Sequence, residues 1–386
     1  MRICLVSETW APDINGVAHT LGHLSREVLC RGHRLQLVRP APAVPSLPRT
    51  AGMEAEIRLR GVSLPGYPAV RLGLPAARCL QRFWREQRPD VIYLATQGPL
   101  GWSAQSVATR LAIPSVAGWH TNFDHYCHDY GVPWLSGLVR RRLRTFHNRS
   151  EATLVPTHQQ AKALTADGFM GVRVMARGID GERFSPAHRD PALRQQWGAD
   201  DHTPVVLHVG RLAPEKNLAL LRESCVALSD ARPDARIVIV GDGPGRSALE
   251  AALPGARFTG FIPPEALARH YASADLFLFP SLSETWGNVL LEAMASGLAP
   301  VAFRHAAGAE LIDHDQSGMA LAIDDANGFC QAAVTLCQQP ARRARLGRYA
   351  RQHALDYTWP AMTDTFLATL DHAREIRHAT SRPRPA

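Results

Sequence analysis

The stretch Val205-Val206-Leu207-His208-Val209-Gly210-Arg211-Leu212-Ala213-Pro214-Glu215-Lys216-Asn217 sets an apolar run against a glycine, two cations and the start of a helical pattern. A short apolar run closed by glycine reads as a buried strand ending at a turn that a ligand can approach. Arg211 and Lys216 then lie at the carboxyl edge of that strand, where open α/β sheets bind ligands. Two cations there suit a diphosphate, each charge-assisted hydrogen bond contributing roughly 1.5–3 kcal/mol. Outward from this stretch, short apolar runs alternate with longer helical patterns along the chain, the sequence form of repeated βαβ units. One series of expected strands comprises Ile3–Val6, Arg34–Val38, Val91–Leu94, Ser115–Ala117, Thr153–Val155 and Arg173–Met175. A second comprises Val205–Val209, Arg236–Val240, Arg257–Thr259, Leu276–Phe279 and Ala299–Ala302, with helices expected over Leu218–Leu228, Arg246–Leu253, Pro264–Ser273 and Asn288–Ser296. The interval Arg177–Pro204, rich in Gly, Pro, Asp and Arg, separates them, and the class is α/β with two Rossmann-like halves. The proline-rich stretch 40–48 reads as a surface loop.

The 386 residues are 46% hydrophobic and 20% charged, which excludes a disordered, collagenous or multi-span membrane protein. Single cores stop growing near roughly 250–300 residues, so the length also requires two domains. The net charge of +8 is unevenly spread. Residues 1–185 carry 23 basic and 13 acidic side chains, residues 186–341 carry 11 and 18, and residues 342–386 carry 9 and 4. A basic half suits nucleic acid, anionic lipid or a phosphorylated substrate. Only Lys162 and Lys216 among the basic residues are lysines. Seven scattered cysteines without a C-x-x-C pair argue against a disulfide framework and a zinc site, and fit a reducing compartment. No apolar stretch approaches the ~18 residues of a transmembrane helix, and the first apolar run is too short for a signal peptide. The expected location is the cytoplasm, with peripheral contact at the inner face of the cytoplasmic membrane.

Two further stretches carry chemistry. Gly241-Asp242-Gly243-Pro244-Gly245 is a tight turn before a helix, and Gly260-Phe261-Ile262-Pro263 can fix backbone beside a planar base. In Pro280–Gly297, Glu284 precedes a helix that Gly287 opens and on which Glu292 lies. A carboxylate accepts two hydrogen bonds at once, so one can grip vicinal hydroxyls of a hexose and the other the ribose hydroxyls. Between them, the first-turn N–H groups near Gly287 and Asn288 point a positive dipole at a diphosphate. The bland alternatives are a solvated basic loop for Arg211 and Lys216, a helix-terminal charge for Glu284 and a solvated face residue for Glu292.

Glu284 and Glu292 with seven residues between them, together with Gly210-Arg211 and Lys216, resemble the retaining glycosyltransferases of family 4. The likeness extends to Glu8–Val17, His120-Thr121, Arg177-Gly178-Ile179-Asp180 and Asp275–Ser281, and covers nearly the whole chain in order. It implies a GT-B fold, two Rossmann-like domains facing a cleft: an acceptor-binding domain over 1–185, a nucleotide-sugar domain over 186–357, residues 358–378 packing back on the first domain, and a disordered tail over 379–386. With that return, the tail's positive excess joins the first domain's. It implies that Arg211 and Lys216 stabilise the departing nucleoside diphosphate, that Glu284 holds the donor sugar and Glu292 the ribose, and that Gly16, Gly210, Ile262, Gly287, Asn288 and Val289 also line the donor. His120 would contact the donor sugar near the reacting carbon. The family uses no protein nucleophile, so catalysis is chiefly electrostatic preorganisation and positioning. Asp313-His314-Asp315 spells a D-x-D, read here as a turn before Gly318, and neither metal nor other cofactor is expected.

The family variants most similar in appearance are GDP-mannose-dependent α-mannosyltransferases and diacylglycerol glycosyltransferases, on residues 120–126 and 144–148. A GDP- or UDP-sugar donor and a lipid or glycan acceptor follow, with a small soluble acceptor as the alternative. The segment 134–146 places Leu135, Leu138, Val139, Leu143 and Phe146 near one helical face with Arg140, Arg141, Arg142 and Arg144 around it, a pattern that suits an anionic membrane surface or a core-packed helix with a solvated basic face. A Rossmann oxidoreductase would need G-x-G-x-x-G after the first strand, where Ser7–Gly16 offers one glycine. A nucleic-acid-binding protein would leave the two glutamates without a purpose, and no nucleic-acid partner is expected.

Overall fold

Parallel strands buried on both faces dominate a computed structural model of the chain, which describes residues 1–13, 15–42, 48–64, 67–120 and 136–381. The strands are β1 (Arg2–Val6), β2 (Arg34–Pro40), β3 (Ala55–Leu59), β4 (Gly61–Leu64), β5 (Tyr67–Gly73), β6 (Val91–Leu94), β7 (Ser115–Gly118), β8 (Ala152–Val155), β9 (Val172–Val174), β10 (Val205–Val209), β11 (Arg236–Val240), β12 (Arg257–Gly260), β13 (Leu276–Phe279), β14 (Ala299–Phe303) and β15 (Met319–Leu321). They form a seven-stranded parallel sheet in the order β3-β2-β1-β6-β7-β8-β9, a six-stranded parallel sheet in the order β12-β11-β10-β13-β14-β15, and the hairpin β4-β5. In each parallel sheet the strand order reverses beside one strand, β1 in the first and β10 in the second, and such switch points are where open α/β sheets take ligands.

The chain divides into two compact units, Met1–Arg177 with Trp359–Ala386, and Gly178–Thr358. In the first, the pleat of β1 sends Ile3 and Leu5 to one face, against Leu21, Leu24, Met362 and Phe366, and sends Cys4 and Val6 to the other, against Leu80, Trp84, Leu100 and Val107. The helix Trp359–Ser381 belongs to this unit because Met362, Phe366, Leu370 and Ala373 recur at helical spacing and are buried there, Phe366 meeting Tyr93 edge-on at 4.9 Å between ring centres. The second unit has one main cluster around Leu221, Leu276, Leu278, Val301 and Phe329.

Several expectations need correction. The first boundary falls after Arg177 rather than after residue 185, since Gly178–Phe184 belongs with the second unit, where Ile179 bridges to Thr358. The charges of 342–358 also belong to that unit. The first therefore carries 26 basic and 14 acidic side chains and the second 17 and 21, a milder polarisation than the sequence segments imply. Strands β3, β4, β5 and β15 were not anticipated. Strands β3 and β15 lie at sheet edges and β4 and β5 form the hairpin; β3 mixes polar and apolar residues, whereas β15 is apolar but only three residues long. The C-terminal helix continues to Ser381, through the start of the expected disordered tail, whose remainder lies outside the described residues. So do most of the proline-rich loop and residues 121–135.

Candidate functional site

At the carboxyl edge of the second sheet, the loop after β10 is locked by backbone. Gly210 N–H donates to Val240 O at 3.0 Å, Leu212 N–H to Asp242 O at 2.9 Å, and Gly245 N–H to Leu212 O at 2.8 Å. Gly241 makes this possible: its φ is 134°, and any Cβ there would collide with the Gly210 carbonyl. A second loop, after β13, is stitched to the first by Asn217 Nδ2 donating to Pro280 O at 3.3 Å and Ser283 Oγ donating to Glu215 O at 3.0 Å. Between these loops Lys216 and Glu284 form an ion pair, their side chains 21% and 15% exposed. Two of the candidate residues, 68 positions apart, thus meet directly. Arg211 is also at this edge but is paired with Glu215.

Beyond the second loop, Gly287, with φ 96°, opens the helix Asn288–Ala295, whose first turn carries no acidic side chain. Its N–H groups and those of Val289 form a positive terminus next to Glu284 in sequence. Glu292 is not a solvated face residue. Burial pushes its carboxyl up to about 7, opposed by Tyr271, whose hydroxyl donates to Oε2 at 3.0 Å, and by the charge of Arg183. Tyr271 itself is fully buried, so one side of Glu292 is desolvated while the residue keeps partial exposure. Ile262 is half-buried after β12, beside Phe261, which is 74% exposed.

In the first unit, Gly16 is exposed and opens the helix Gly16–Cys30, capped by Asn15 Oδ1 accepting from Ala18 N at 2.9 Å. His120 follows β7 and is buried. Arg177 Nη2 lies 2.6 Å from its Nδ1 and Tyr93 Oη 2.8 Å from its Nε2. A guanidinium only donates, so Nδ1 is the unprotonated nitrogen and Nε2–H faces the tyrosine. Burial, and then the Arg177 charge, hold the imidazole well below its ordinary pKa, hence neutral. Both ring nitrogens of His120 are thus engaged within the protein.

The basic helix spans Ser136–His147. Leu143 and Phe146 are buried and Val139 packs beside Leu143 and Phe169, but Leu138 is 57% exposed and does not share their face. Leu135 lies outside the described residues. Arg140 pairs with Asp167, and Arg144 donates to the Asp167 carbonyl at 2.9 Å. Arg142 and Arg149 lie over the Trp102 ring at 5.7 and 5.9 Å, and with Arg141, Leu138 and Thr145 they line one shallow depression. Asp315 of the D-x-D is paired with Arg342 at 2.7 Å, and His314 Nδ1 lies 2.9 Å from the Ala320 carbonyl, within the turn. Among the described residues no group of three His, Cys, Asp or Glu side chains is placed to hold a metal.

Residues 14–183 match the family described as Glycosyltransferase Family 4, and residues 203–339 match Glycosyl transferases group 1. A GDP-mannose-dependent alpha-mannosyltransferase of Mycobacterium tuberculosis is 33% identical over 98% of this chain and 98% of its own. An alpha-monoglucosyldiacylglycerol synthase of Acholeplasma laidlawii is 26% identical over 79% of this chain and 80% of its own. The structure of Anabaena HepE in complex with UDP superposes with a TM-score of 0.78 at 19% identity, covering 96% of this chain and all of that one. The two doubly wound units are those of the GT-B fold, the scaffold of sugar-transferring enzymes. Within it, the chain belongs to glycosyltransferase family 4 and is a hexosyltransferase. Tyr271, His208, Tyr93 and Arg177 carry no assigned role in the sequence reading. The signals visible among them were a lone histidine inside the apolar run Val205–Val209 and Arg177 at the head of the motif Arg177-Gly178-Ile179-Asp180.

Proposed function

We propose that the enzyme transfers mannose, with retention of configuration, from GDP-mannose to a lipid or glycan acceptor. The observation that carries this is the Lys216–Glu284 pair at the sheet edge, a cation for the diphosphate beside a carboxylate for the sugar. The likeness to GDP-mannose-dependent relatives over almost the full chain supports the donor. Arg211 and Lys216 offset the charge that builds on the diphosphate as the bond from the anomeric carbon to the phosphate oxygen breaks. The acceptor oxygen bonds to that carbon from the same face, and its proton passes to the leaving phosphate. These two side chains provide the positive charge, so no resident metal is required. Glu284 orients the sugar hydroxyls and Glu292 the ribose diol.

The acceptor reading places the enzyme at the inner face of the cytoplasmic membrane, where Arg141, Arg142 and Arg149 around Trp102 suit anionic headgroups. No helix among the described residues is long and apolar enough to cross a membrane. The test is a donor screen of GDP-mannose and UDP-hexoses with diacylglycerol, phosphatidylinositol and free-glycan acceptors, followed by NMR assignment of the product anomer. Turnover of GDP-mannose to an α-mannoside supports the reading. Turnover of UDP-hexoses alone overturns the donor, and transfer only to small soluble acceptors overturns the acceptor class.

A further inference from the structure

His208 lies on β10 directly before the diphosphate loop, is 3% exposed, and has no part in the donor site as described above. Its Nδ1 is 3.0 Å from the Leu278 carbonyl on β13. A carbonyl only accepts, so Nδ1 carries the proton and Nε2 of the neutral ring presents a lone pair. Burial pushes the imidazole down to about 4, which keeps it neutral at physiological pH. Nε2 is buried and, among the described residues, has no hydrogen-bond partner. Native structures leave few such atoms unsatisfied, and each has a desolvation cost.

The surroundings say which partner fits. Nε2 faces Gly210, 3.6 Å from where a Cβ on that residue would stand, so the absence of a side chain keeps the approach open. The charged groups that act on His208 are Lys216 and Glu284. Diphosphate oxygens accept hydrogen bonds and cannot satisfy a lone pair. An ammonium has three N–H groups and can donate to a phosphate and to an imidazole together. In the structure Lys216 is paired with Glu284, and the two groups partly neutralise each other. Both are wanted by the donor, one for its phosphates and one for its sugar hydroxyls, so donor binding competes with their pairing.

We infer that His208 is the positioning residue for this exchange, accepting a hydrogen bond at Nε2 from the Lys216 ammonium once the diphosphate draws it from Glu284. The inference rests on the assignment of Lys216 to the diphosphate. It adds that the freed Glu284 carboxylate becomes available to the sugar only because the lysine has a second acceptor to settle on.

The test titrates the full-length protein with GDP by calorimetry and follows wild-type protein labelled with 15N-histidine by NMR. The expected result is GDP affinity weakened roughly tenfold or more in His208→Leu and largely recovered in His208→Gln, whose amide offers N–H donors and a carbonyl acceptor. The 15N signal of His208 Nε2 in the wild type should move upfield on GDP addition as its lone pair is engaged, a readout that requires no variant to fold. Unchanged GDP affinity in His208→Leu, or a static Nε2 signal, overturns the role of His208 while Lys216→Ala still abolishes GDP binding. Retained GDP affinity in Lys216→Ala overturns the diphosphate assignment itself.

Discussion

Replacing Tyr271 by Phe should move the pH dependence of donor binding upward. The Glu292 carboxylate, pushed up to about 7 by burial, is held no higher by the Tyr271 hydroxyl 3.0 Å from Oε2 and by Arg183. A hydrogen bond to a charged group contributes about 1.5–3 kcal/mol. At about 1.4 kcal/mol per pKa unit, its removal raises the Glu292 pKa by roughly one to two units. Close to half of the groups are ionised at pH 7 in the wild type, and less than about a tenth in the variant. If the ionised form grips the ribose, the donor KM at pH 7 rises about fivefold or more, and the two enzymes converge above pH 9. The ring contacts of Tyr271 to Phe184 and Phe277, at 5.8 and 5.9 Å, survive the change to Phe, so the fold persists. Stability carries the same sign. A carboxyl whose folded pKa lies above its ordinary 4.5 disfavours the folded state increasingly as pH rises through 4.5 toward about 7, and the variant extends that loss to higher pH. The assay is donor KM from GDP release between pH 5.5 and 9.5, with melting temperatures alongside. A KM profile identical to wild type would refute the ribose role of Glu292.

Phe366→Ala should destabilise the first unit by about 3–5 kcal/mol, read by denaturant unfolding, because Phe366 is fully buried against Tyr93; a loss under about 1 kcal/mol would mean that the C-terminal helix is not part of that core. Gly241→Ala should abolish GDP binding measured by calorimetry, since no Cβ fits against the Gly210 carbonyl at φ 134°. For lipid vesicles containing phosphatidylserine, Arg141→Ala with Arg142→Ala should weaken binding more than Arg140→Ala with Arg144→Ala, because the latter pair is already engaged at Asp167. Equal losses, or equal binding of the wild type to neutral vesicles, would count against the Trp102 patch.

Local pattern sufficed for much of this molecule. The strands of both sheet centres read directly as apolar runs because a parallel strand buried on both faces needs apolar side chains on both. The strand-end glycine and cations at Gly210, Arg211 and Lys216, and the two glutamates, were legible from type and spacing. The edge strands β3 and β15 were not: β3 mixes polar and apolar residues, and β15 is only three residues long, too short for a pattern to stand out. Nor does sequence tell which charges meet. Lys216 pairs with Glu284 whereas Arg211 turns to Glu215, and Arg140 and Arg144 go to Asp167 whereas Arg142 lies over Trp102. Those choices depend on loops brought together by backbone hydrogen bonds far apart in the chain. Composition and spacing alone thus determined a two-domain α/β chain with a glycine and two cations at one sheet edge. Tertiary structure decided that Glu292 is desolvated, that His120 is locked between Arg177 and Tyr93, and that His208 keeps a lone pair beneath Gly210, because pKa, tautomer and hydrogen-bond satisfaction are set by what surrounds a side chain.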